Sequence, residues 1–255
     1  MKNKIAIYGY GTLGKTYQYF LHFTEIVKIQ DPAFSLKIDN IDEFQGAIIS
    51  VPAPTADSGS VDITNILNCL QQIPNTIPIL IKSTISINNW NEIKKFYPNH
   101  LITYSPEFLT ESIPIGTLVN ANRVVMSKTG SYKFWENMYK NAYKHFSDDP
   151  IHIYIVKPEE AITVKQFANA FLATKLSFFH EMKDYVDKHE LDFKIIKDAI
   201  CHDTRIGNSH SMVLNESGWG GKCLPKDTKA LLTYALENQI ELSVIESAYS
   251  SNFKR

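Results

Sequence analysis

Lys4-Ile5-Ala6-Ile7-Tyr8-Gly9-Tyr10-Gly11-Thr12-Leu13-Gly14 begins as a short β-prone run and passes at once into three glycines at G-x-G-x-x-G spacing. Each glycine has its own physical task. Gly9 makes a tight turn, Gly11 lets the backbone approach a pyrophosphate, and Gly14 lets the next helix pack closely on the strand. Leu13, Tyr17, Phe20 and Leu21 then recur at helical spacing and give one apolar face. A helix starting here turns free N–H groups and the positive end of its dipole toward the loop, which suits a phosphate. A second strand, Glu25 to Gln30, ends at Asp31, 20 positions beyond Gly11. An acid at that strand end accepts from a ribose 2′-OH and repels a 2′-phosphate, so the expected cofactor is NAD rather than NADP.

Further strands are expected at Gly46 to Val51, Ile77 to Ser83, Leu101 to Tyr104 and Asn122 to Met126, with a helix around Val61 to Gln72. Strands alternating with crossover helices indicate a parallel sheet covered on both faces. The pattern changes near Val156. Lys157-Pro158-Glu159-Glu160 reads as a helix start, with Pro in the first turn and two carboxylates at the positive dipole end. Ala161 to His189 is a long helix, apolar nearly all round until Met182, so much of it is expected to be buried. Leu191 to Ile200, a loop around His202 to Gly207, a Gly-rich stretch Ser217 to Gly221 and a final helix from Pro225 follow, with no strand pattern after Val156. The fold class is therefore α/β: a Rossmann-like parallel-sheet domain over 1–156, then a smaller all-helical domain over 157–255.

Composition narrows the function classes. The 255 residues carry 26 Lys plus Arg against 27 Asp plus Glu, a net charge of −1, so no broad field favours nucleic acid or an anionic membrane. The N-terminal apolar run is too short for a signal peptide, and no segment reaches the ~20 apolar residues of a spanning helix. Cys69, Cys201 and Cys223 are an odd number at unrelated spacings, indicating neither a disulfide framework nor a metal site. A cytoplasmic location keeps such thiols reduced and allows one to be reactive.

Four segments place polar groups in apolar surroundings. Ser50-Val51-Pro52-Ala53-Pro54-Thr55, Lys82-Ser83-Thr84-Ile85 and Tyr104-Ser105-Pro106-Glu107-Phe108-Leu109-Thr110-Glu111 fall at expected strand C-termini, the edge at which open α/β sheets bind ligands. Glu107 and Glu111 are four apart and would share a face on a helical turn as a carboxylate pair. Lys165 and Asn169, also four apart, project from one side of the long helix, either as donors for a developing oxyanion or as a snorkelling Lys beside a satisfied Asn. Gly218-Trp219-Gly220-Gly221-Lys222-Cys223-Leu224-Pro225-Lys226-Asp227 sets a cysteine after a double glycine at a helix start. A thiol there, between Lys222 and Lys226, is expected to have a lowered pKa and to act as a nucleophile.

These residues resemble the UDP-glucose/GDP-mannose dehydrogenase family. The Gly9 to Gly14 loop, Val51 to Thr55, Lys82-Ser83-Thr84, Ser105-Pro106-Glu107-Phe108-Leu109, the Lys165 to Asn169 helix with Phe171-Leu172-Ala173, and Gly220 to Asp227 match it in order. The resemblance implies the two-domain plan of 6-phosphogluconate dehydrogenase-like enzymes. It also implies a four-electron oxidation by two successive NAD+ molecules, UDP-glucose to UDP-glucuronate by default, as in the synthesis of polysaccharide precursors. Cys223 corresponds to the nucleophile that traps the aldehyde as a thiohemiacetal and later carries the thioester. Lys165 and Asn169 correspond to the oxyanion-stabilising pair, Glu107 to the carboxylate of thioester hydrolysis, and Thr84 and Asp227 to the residues that position a water. The cofactor side comprises Gly9, Gly11, Thr12, Leu13, Gly14, Asp31, Val51, Pro52 and Thr84. The substrate side comprises Glu107, Phe108, Leu109, Glu111, Lys165, Asn169, Gly220 and Arg205, the last within an Asp203-Thr204-Arg205-Ile206-Gly207 segment that reaches the sugar across a dimer interface. A homodimer through the helical domain follows.

Two features depart from the family pattern. The connection from Asp31 to Ile48 is short where the family carries a longer helical insert, so the adenosine side of the cofactor pocket is expected to be more open. The family's nucleotide-gripping third domain is not in this sequence, so another chain supplies it, the substrate binds differently, or the core works with reduced activity. Two rival readings remain at this level. One is a non-catalytic NAD-binding regulator, against which the complete set of catalytic-type residues argues. The other is a two-electron hydroxyacid dehydrogenase, for which Cys223 would have no use.

Overall fold

The computed structural model describes residues 2–254 apart from Asp57, Asn215, Glu216 and Lys222. Lys222, expected beside Cys223, thus lies outside the described residues. The chain divides into two compact units, residues 1–54 with 61–165, and residues 55–60 with 166–255.

The first unit is built on strands β1 (Lys4–Tyr8), β2 (Ile26–Gln30), β3 (Gly46–Ile49), β4 (Ile79–Ile81) and β5 (Ile102–Tyr104). They form one parallel sheet in the order β2-β1-β3-β4-β5. The central strands are runs of Ile, Leu and Ala with no exposed residue, as expected where helices cover both faces. Each large aliphatic side chain buried there contributes roughly 1.5–3 kcal/mol. Residues 31–45 make the crossover from β2 to β3 with only two single turns of 3₁₀ helix, Pro32–Phe34 and Ile41–Glu43. The connection is short, as the sequence suggested, and the order 2-1-3-4-5 leaves β2 at the edge.

Helices α1 (Thr12–Leu21), α2 (Thr64–Leu70), α3 (Ile87–Phe96), α4 (Pro114–Val119) and α5 (Tyr132–Tyr143) belong to this unit. α3 begins at a reciprocal cap, Ser86 accepting from Asn89 N–H while the Asn89 side chain accepts from Ser86 N–H. Tyr17, Phe20 and Leu21 of α1 pack with Trp135, Met138, Tyr139 and Tyr143 of α5 in the core. Two strands more, β6 (Arg123–Ser127) and β7 (His152–Val156), form a parallel pair. Serines join β5 to β6 where a ladder does not: Ser127 Oγ accepts from Tyr104 N–H at 2.8 Å, and Ser105 Oγ donates to Val125 O at 2.8 Å. β7 was not foreseen, although His-Ile-Tyr-Ile-Val after Pro150 is β-prone.

α6 (Pro158–Lys188) crosses the boundary, and the second unit adds α7 (Phe193–Cys201), α8 (Leu224–Glu237) and α9 (Ser243–Asn252). The expected single final helix is two, because the chain turns after α8 with Gln239 at φ +57°. The expected burial of α6 also needs correction. Ala161, Ile162, Ala170, Ala173 and Phe179 are buried, but Val164, Phe167, Phe171, Phe178 and Tyr185 form an exposed stripe, Phe171 at 68%. Apolar residues all round the helix are therefore not all covered within one chain.

Candidate active site

In the first unit, the glycine loop is shaped by what a side chain would strike. Gly9 sits at φ +97°, and a Cβ there would meet Ser50 O at 2.8 Å. At Gly14 a Cβ would lie 2.0 Å from Gly9 O, so the close approach of α1 to the turn requires glycine. Above Gly11 nothing lies within 4 Å of that position. The first turn of α1 has no side-chain cap and no acid, which leaves its N–H groups and dipole available to an anion. Asp31 lies beside the loop: its Oδ2 accepts from Tyr10 N–H at 2.6 Å and its Oδ1 from Ala33 N–H at 2.9 Å. The residues present therefore fit a dinucleotide, with open backbone for a pyrophosphate and a carboxylate placed for a ribose.

Side-chain hydrogen bonds tie the expected segments together at the C-terminal edge of the sheet. Ser50 Oγ donates to Tyr8 O and Gly9 O, each at 3.1 Å, and so anchors the glycine turn to β3. Ser83 Oγ donates to Val51 O at 2.7 Å, joining the Val51-Pro52 and Ser83-Thr84 segments. Lys82 Nζ donates to Ser105 Oγ at 3.2 Å and Pro106 O at 3.1 Å, joining the ends of β4 and β5. Thr84 is half-buried beside this junction in sequence.

The carboxylate pair read from Glu107 and Glu111 is not present as such. Residues 105–110 carry no helix, in keeping with the steric bias of a residue before proline away from the α region, and α4 begins only at Pro114. Glu107 instead meets a cation. Its Oε2 is 3.2 Å from Lys82 Nζ and accepts from Tyr17 Oη at 2.7 Å, while Oε1 accepts from Phe108 N–H at 3.0 Å. Burial works against the charge on Lys82, but Glu107 and Tyr139 outweigh it and hold the ammonium above the ordinary lysine range. Burial first, and Glu107 second, push the Tyr17 hydroxyl well above the tyrosine range. Phe108 carries Arg123, 4.9 Å from its ring centroid, and Lys165 Nζ, 5.4 Å away. Leu109 is half-buried and Glu111 exposed.

In the second unit, Cys223 is exposed at the N-cap of α8, whereas Cys69 and Cys201 are buried. Among the described residues, a Cβ at Gly220 or Gly221 would meet nothing within 4 Å, so the backbone is bare at these two glycines. Asp227, in the first turn of α8, is only 1% exposed. Its Oδ2 accepts from Asn169 Nδ2 at 2.6 Å and its Oδ1 pairs with Lys226 Nζ at 2.7 Å. The glycine-rich stretch is pinned to α9, since Asn252 accepts from Trp219 N–H at 2.6 Å and donates to Trp219 O at 2.9 Å. Trp219 Nε1 also donates to Ser177 Oγ on α6 at 2.8 Å. Arg205 is exposed and forks onto Asp203, its Nη2 2.6 Å from Oδ2, on a loop held by Lys175 through Ile206 O and Gly207 O.

Sequence reading gave no role to Tyr17, Tyr139 or Lys82 beyond core and motif positions. Lys82 carried a usable signal, because a lysine directly after the buried run Ile79–Ile81 needs partners. Tyr139 carried none. Among the described residues no group of His, Cys, Asp or Glu could hold a metal, and no helix is long and apolar enough to cross a membrane.

Residues 23–147 match the NAD binding domain, and residues 159–254 the central domain, of the UDP-glucose/GDP-mannose dehydrogenase family. The glycine loop lies just upstream of the first match. A UDP-glucose 6-dehydrogenase of Campylobacter jejuni is 34% identical over 194 residues, which are 72% of this chain and 47% of that protein. Among solved structures, a UDP-glucose dehydrogenase from Pyrobaculum islandicum superposes with a TM-score of 0.83 at 19% identity, covering 99% of this chain and 68% of that one. A 3-hydroxyisobutyrate dehydrogenase from Mycobacterium tuberculosis gives 0.71 at 16% identity, covering 100% and 94%. Likeness at such identities bears on the fold alone. The chain spans about half the length of the curated relatives it matches.

Proposed function

The chain belongs to the UDP-glucose/GDP-mannose dehydrogenase family and carries its NAD-binding domain, and from this we propose an NAD-dependent four-electron oxidation of a nucleotide-sugar primary alcohol to its carboxylate. UDP-glucose, giving UDP-glucuronate, is the substrate proposed first, in a cytoplasmic homodimer. The supporting observation is the exposed thiol of Cys223 at the start of α8, one turn before a buried Asp227 that is held by Asn169.

NAD+ when bound supplies hydride acceptance, twice per turnover. Gly9, Gly11, Thr12, Leu13 and Gly14 hold its pyrophosphate, Asp31 its ribose, and Val51, Pro52 and Thr84 the remainder. Cys223 sulfur adds to the aldehyde carbon of the half-oxidised sugar, and the resulting tetrahedral carbon still bears a hydrogen to lose. Stopping at the aldehyde would require no thiol; reaching the acid does. Lys165 and Asn169 donate to the developing oxyanion, where fixed donors stabilise charge better than mobile water does. Thr84 and Asp227 position a water, and Glu107 takes its proton as the water oxygen bonds to the thioester carbon. The C–S bond then breaks, its electron pair returning to Cys223 as thiolate. Phe108, Leu109, Glu111 and Gly220 surround the sugar, and Arg205 reaches it from a second copy. The proposed division is a cofactor domain over 1–156 and a helical domain over 157–255.

The test is covalent. Wild-type protein quenched during turnover with UDP-glucose and NAD+ should carry the sugar acyl group on Cys223 by intact and peptide mass spectrometry, and Cys223→Ala should form no acid. Unmodified Cys223 together with acid formation by the alanine variant would overturn the proposal.

A further inference from the structure

Four polar groups in the first unit form a closed ring, and the mechanism above uses only one of them, Glu107. Lys82 Nζ contacts both Glu107 Oε2 (3.2 Å) and Tyr139 Oη (3.1 Å), Tyr139 Oη lies 2.6 Å from Tyr17 Oη, and Tyr17 Oη lies 2.7 Å from Glu107 Oε2. The direction of every proton follows. An ammonium only donates, and its three hydrogens go to Ser105 Oγ, Pro106 O and Tyr139 Oη, so Lys82 meets the carboxylate as an ion pair. Tyr17 has a single proton, and the carboxylate takes it. Tyr139 must therefore donate to Tyr17. The hydroxyl hydrogens of the ring run toward Glu107 Oε2, which takes the Tyr17 hydrogen and faces the ammonium at 3.2 Å. Oε1 has a different situation: among the described residues its hydrogen bond comes from Phe108 N–H, its own neighbour.

Resting on the reading of Glu107 as the base of thioester hydrolysis, we propose that Lys82, Tyr139 and Tyr17 are positioning residues that occupy Oε2 and leave Oε1 as the one basic atom. A proton on Oε2 would displace the Tyr17 hydrogen bond and stand against the ammonium 3.2 Å away. The proton of the attacking water therefore goes to Oε1, and the ring fixes the orientation of that atom. The groups facing Glu107 are Lys82 from the end of β4, Tyr17 from α1, Tyr139 and Tyr143 from α5 and Arg123 from β6, all lining one cavity of about 460 Å³. Of these only Lys82 contributes a buried positive charge in contact with the carboxylate. The tyrosines relay that charge by hydrogen bonds, each strengthened by the next.

Tyr17→Phe keeps the packing of the ring while removing one donor from Oε2, and Tyr139→Phe interrupts the relay one bond further on. Only hydrolysis should suffer. In single turnover each variant should still release two NADH per site at the wild-type rate, and the acyl group should then persist on Cys223. Steady-state kcat should fall roughly 10- to 100-fold, the size expected for a hydrogen bond to a charged group, with KM falling alongside it and kcat/KM and NAD affinity unchanged. Lys82→Ala should be slower still, and propylamine entering the cavity should restore it while propanol should not. Folding of each variant is checked by NAD affinity and by that amine rescue. If the wild type forms the acyl enzyme and yet Tyr17→Phe hydrolyses it at the normal rate, or propanol rescues Lys82→Ala as well as propylamine, the ring has no such role. If the wild type forms no acyl enzyme, the underlying reading of the reaction fails, and the wild-type control alone shows it.

Discussion

Alanine at Gly14 and alanine at Gly11 should behave differently, although both glycines belong to one loop. A Cβ at position 14 would lie 2.0 Å from Gly9 O, 1.0 Å inside the 3.0 Å below which real Cβ contacts essentially never fall. The obstacle is backbone, so α1 and the turn must separate by about that distance. Gly9 O is also held by Ser50 Oγ, and the adjacent Tyr10 N–H by Asp31, so the shift strains two further contacts. Overpacking of this kind costs about 1–3 kcal/mol. At roughly 2–4 °C per kcal/mol, the melting temperature of the first unit should drop by about 2–12 °C. A loop displaced by about 1 Å should also lose on the order of 10²-fold in NAD-dependent function. Gly11→Ala meets nothing within 4 Å and has an ordinary negative φ, so its melting temperature should barely change. Its methyl group would stand where the pyrophosphate approaches, and NAD affinity should fall all the same. Titration calorimetry and thermal melts on the two variants separate the effects. Normal NAD binding by Gly11→Ala would refute the placement of the cofactor over this loop.

Asp31→Ala removes the acceptor for Tyr10 and Ala33 N–H and should weaken NAD binding about 10-fold while narrowing its preference over NADP; unchanged affinity in calorimetry would remove the ribose assignment. Burial, with Asp31 nearby, pushes the Cys69 thiol up to about 12, so iodoacetamide at pH 8 should label Cys223 and spare Cys69 until the chain unfolds. Because Cys69 holds its proton more tightly folded than unfolded, its contribution to stability is complete below about 9 and fades as pH rises toward 12. Melting temperature should fall across that window, less steeply in Cys69→Ala. Asn169→Ala leaves the buried Asp227 carboxylate short of a donor and should cost about 1–3 kcal/mol, read by denaturant unfolding of the second unit. Phe171→Asp, in the exposed stripe of α6, should convert a dimer to monomers in light scattering; a monomeric wild type would contradict the proposed dimer.

The parallel sheet was legible because strand and helix periods differ and the inner strands β1, β3 and β4 carry aliphatic runs such as Ile5-Ala6-Ile7 and Ile79-Leu80-Ile81. Strand ends were set within one or two residues at β1, β2 and β5, where Gly9, Asp31 and Pro106 mark the stops. β7 escaped because its edge position leaves alternate residues exposed, so His152-Ile153-Tyr154-Ile155-Val156 lacks the aliphatic signature of its buried neighbours. The break between α8 and α9 escaped because Gln239 takes a positive φ that no glycine announces. Motif spacing singled out Asp31 and Glu107 in the first unit and Asn169, Cys223 and Asp227 in the second. It could not supply partners that arrive from elsewhere in the fold. Tyr17 reads as one more apolar position of α1, and Tyr139 as one of α5, until their hydroxyls meet. The misread pair of Glu107 and Glu111 has the same origin: four-residue spacing implies a shared face only on a helix, and residues 105–110 carry none.

The most direct measurement is the stoichiometry of NADH to product when the purified chain is given NAD+ and a panel of nucleotide sugars, UDP-glucose first. Two NADH for each carboxylate formed is the expected result. One NADH per aldehyde or ketone, or NAD binding with no turnover on any sugar, would contradict a four-electron oxidation carried on Cys223.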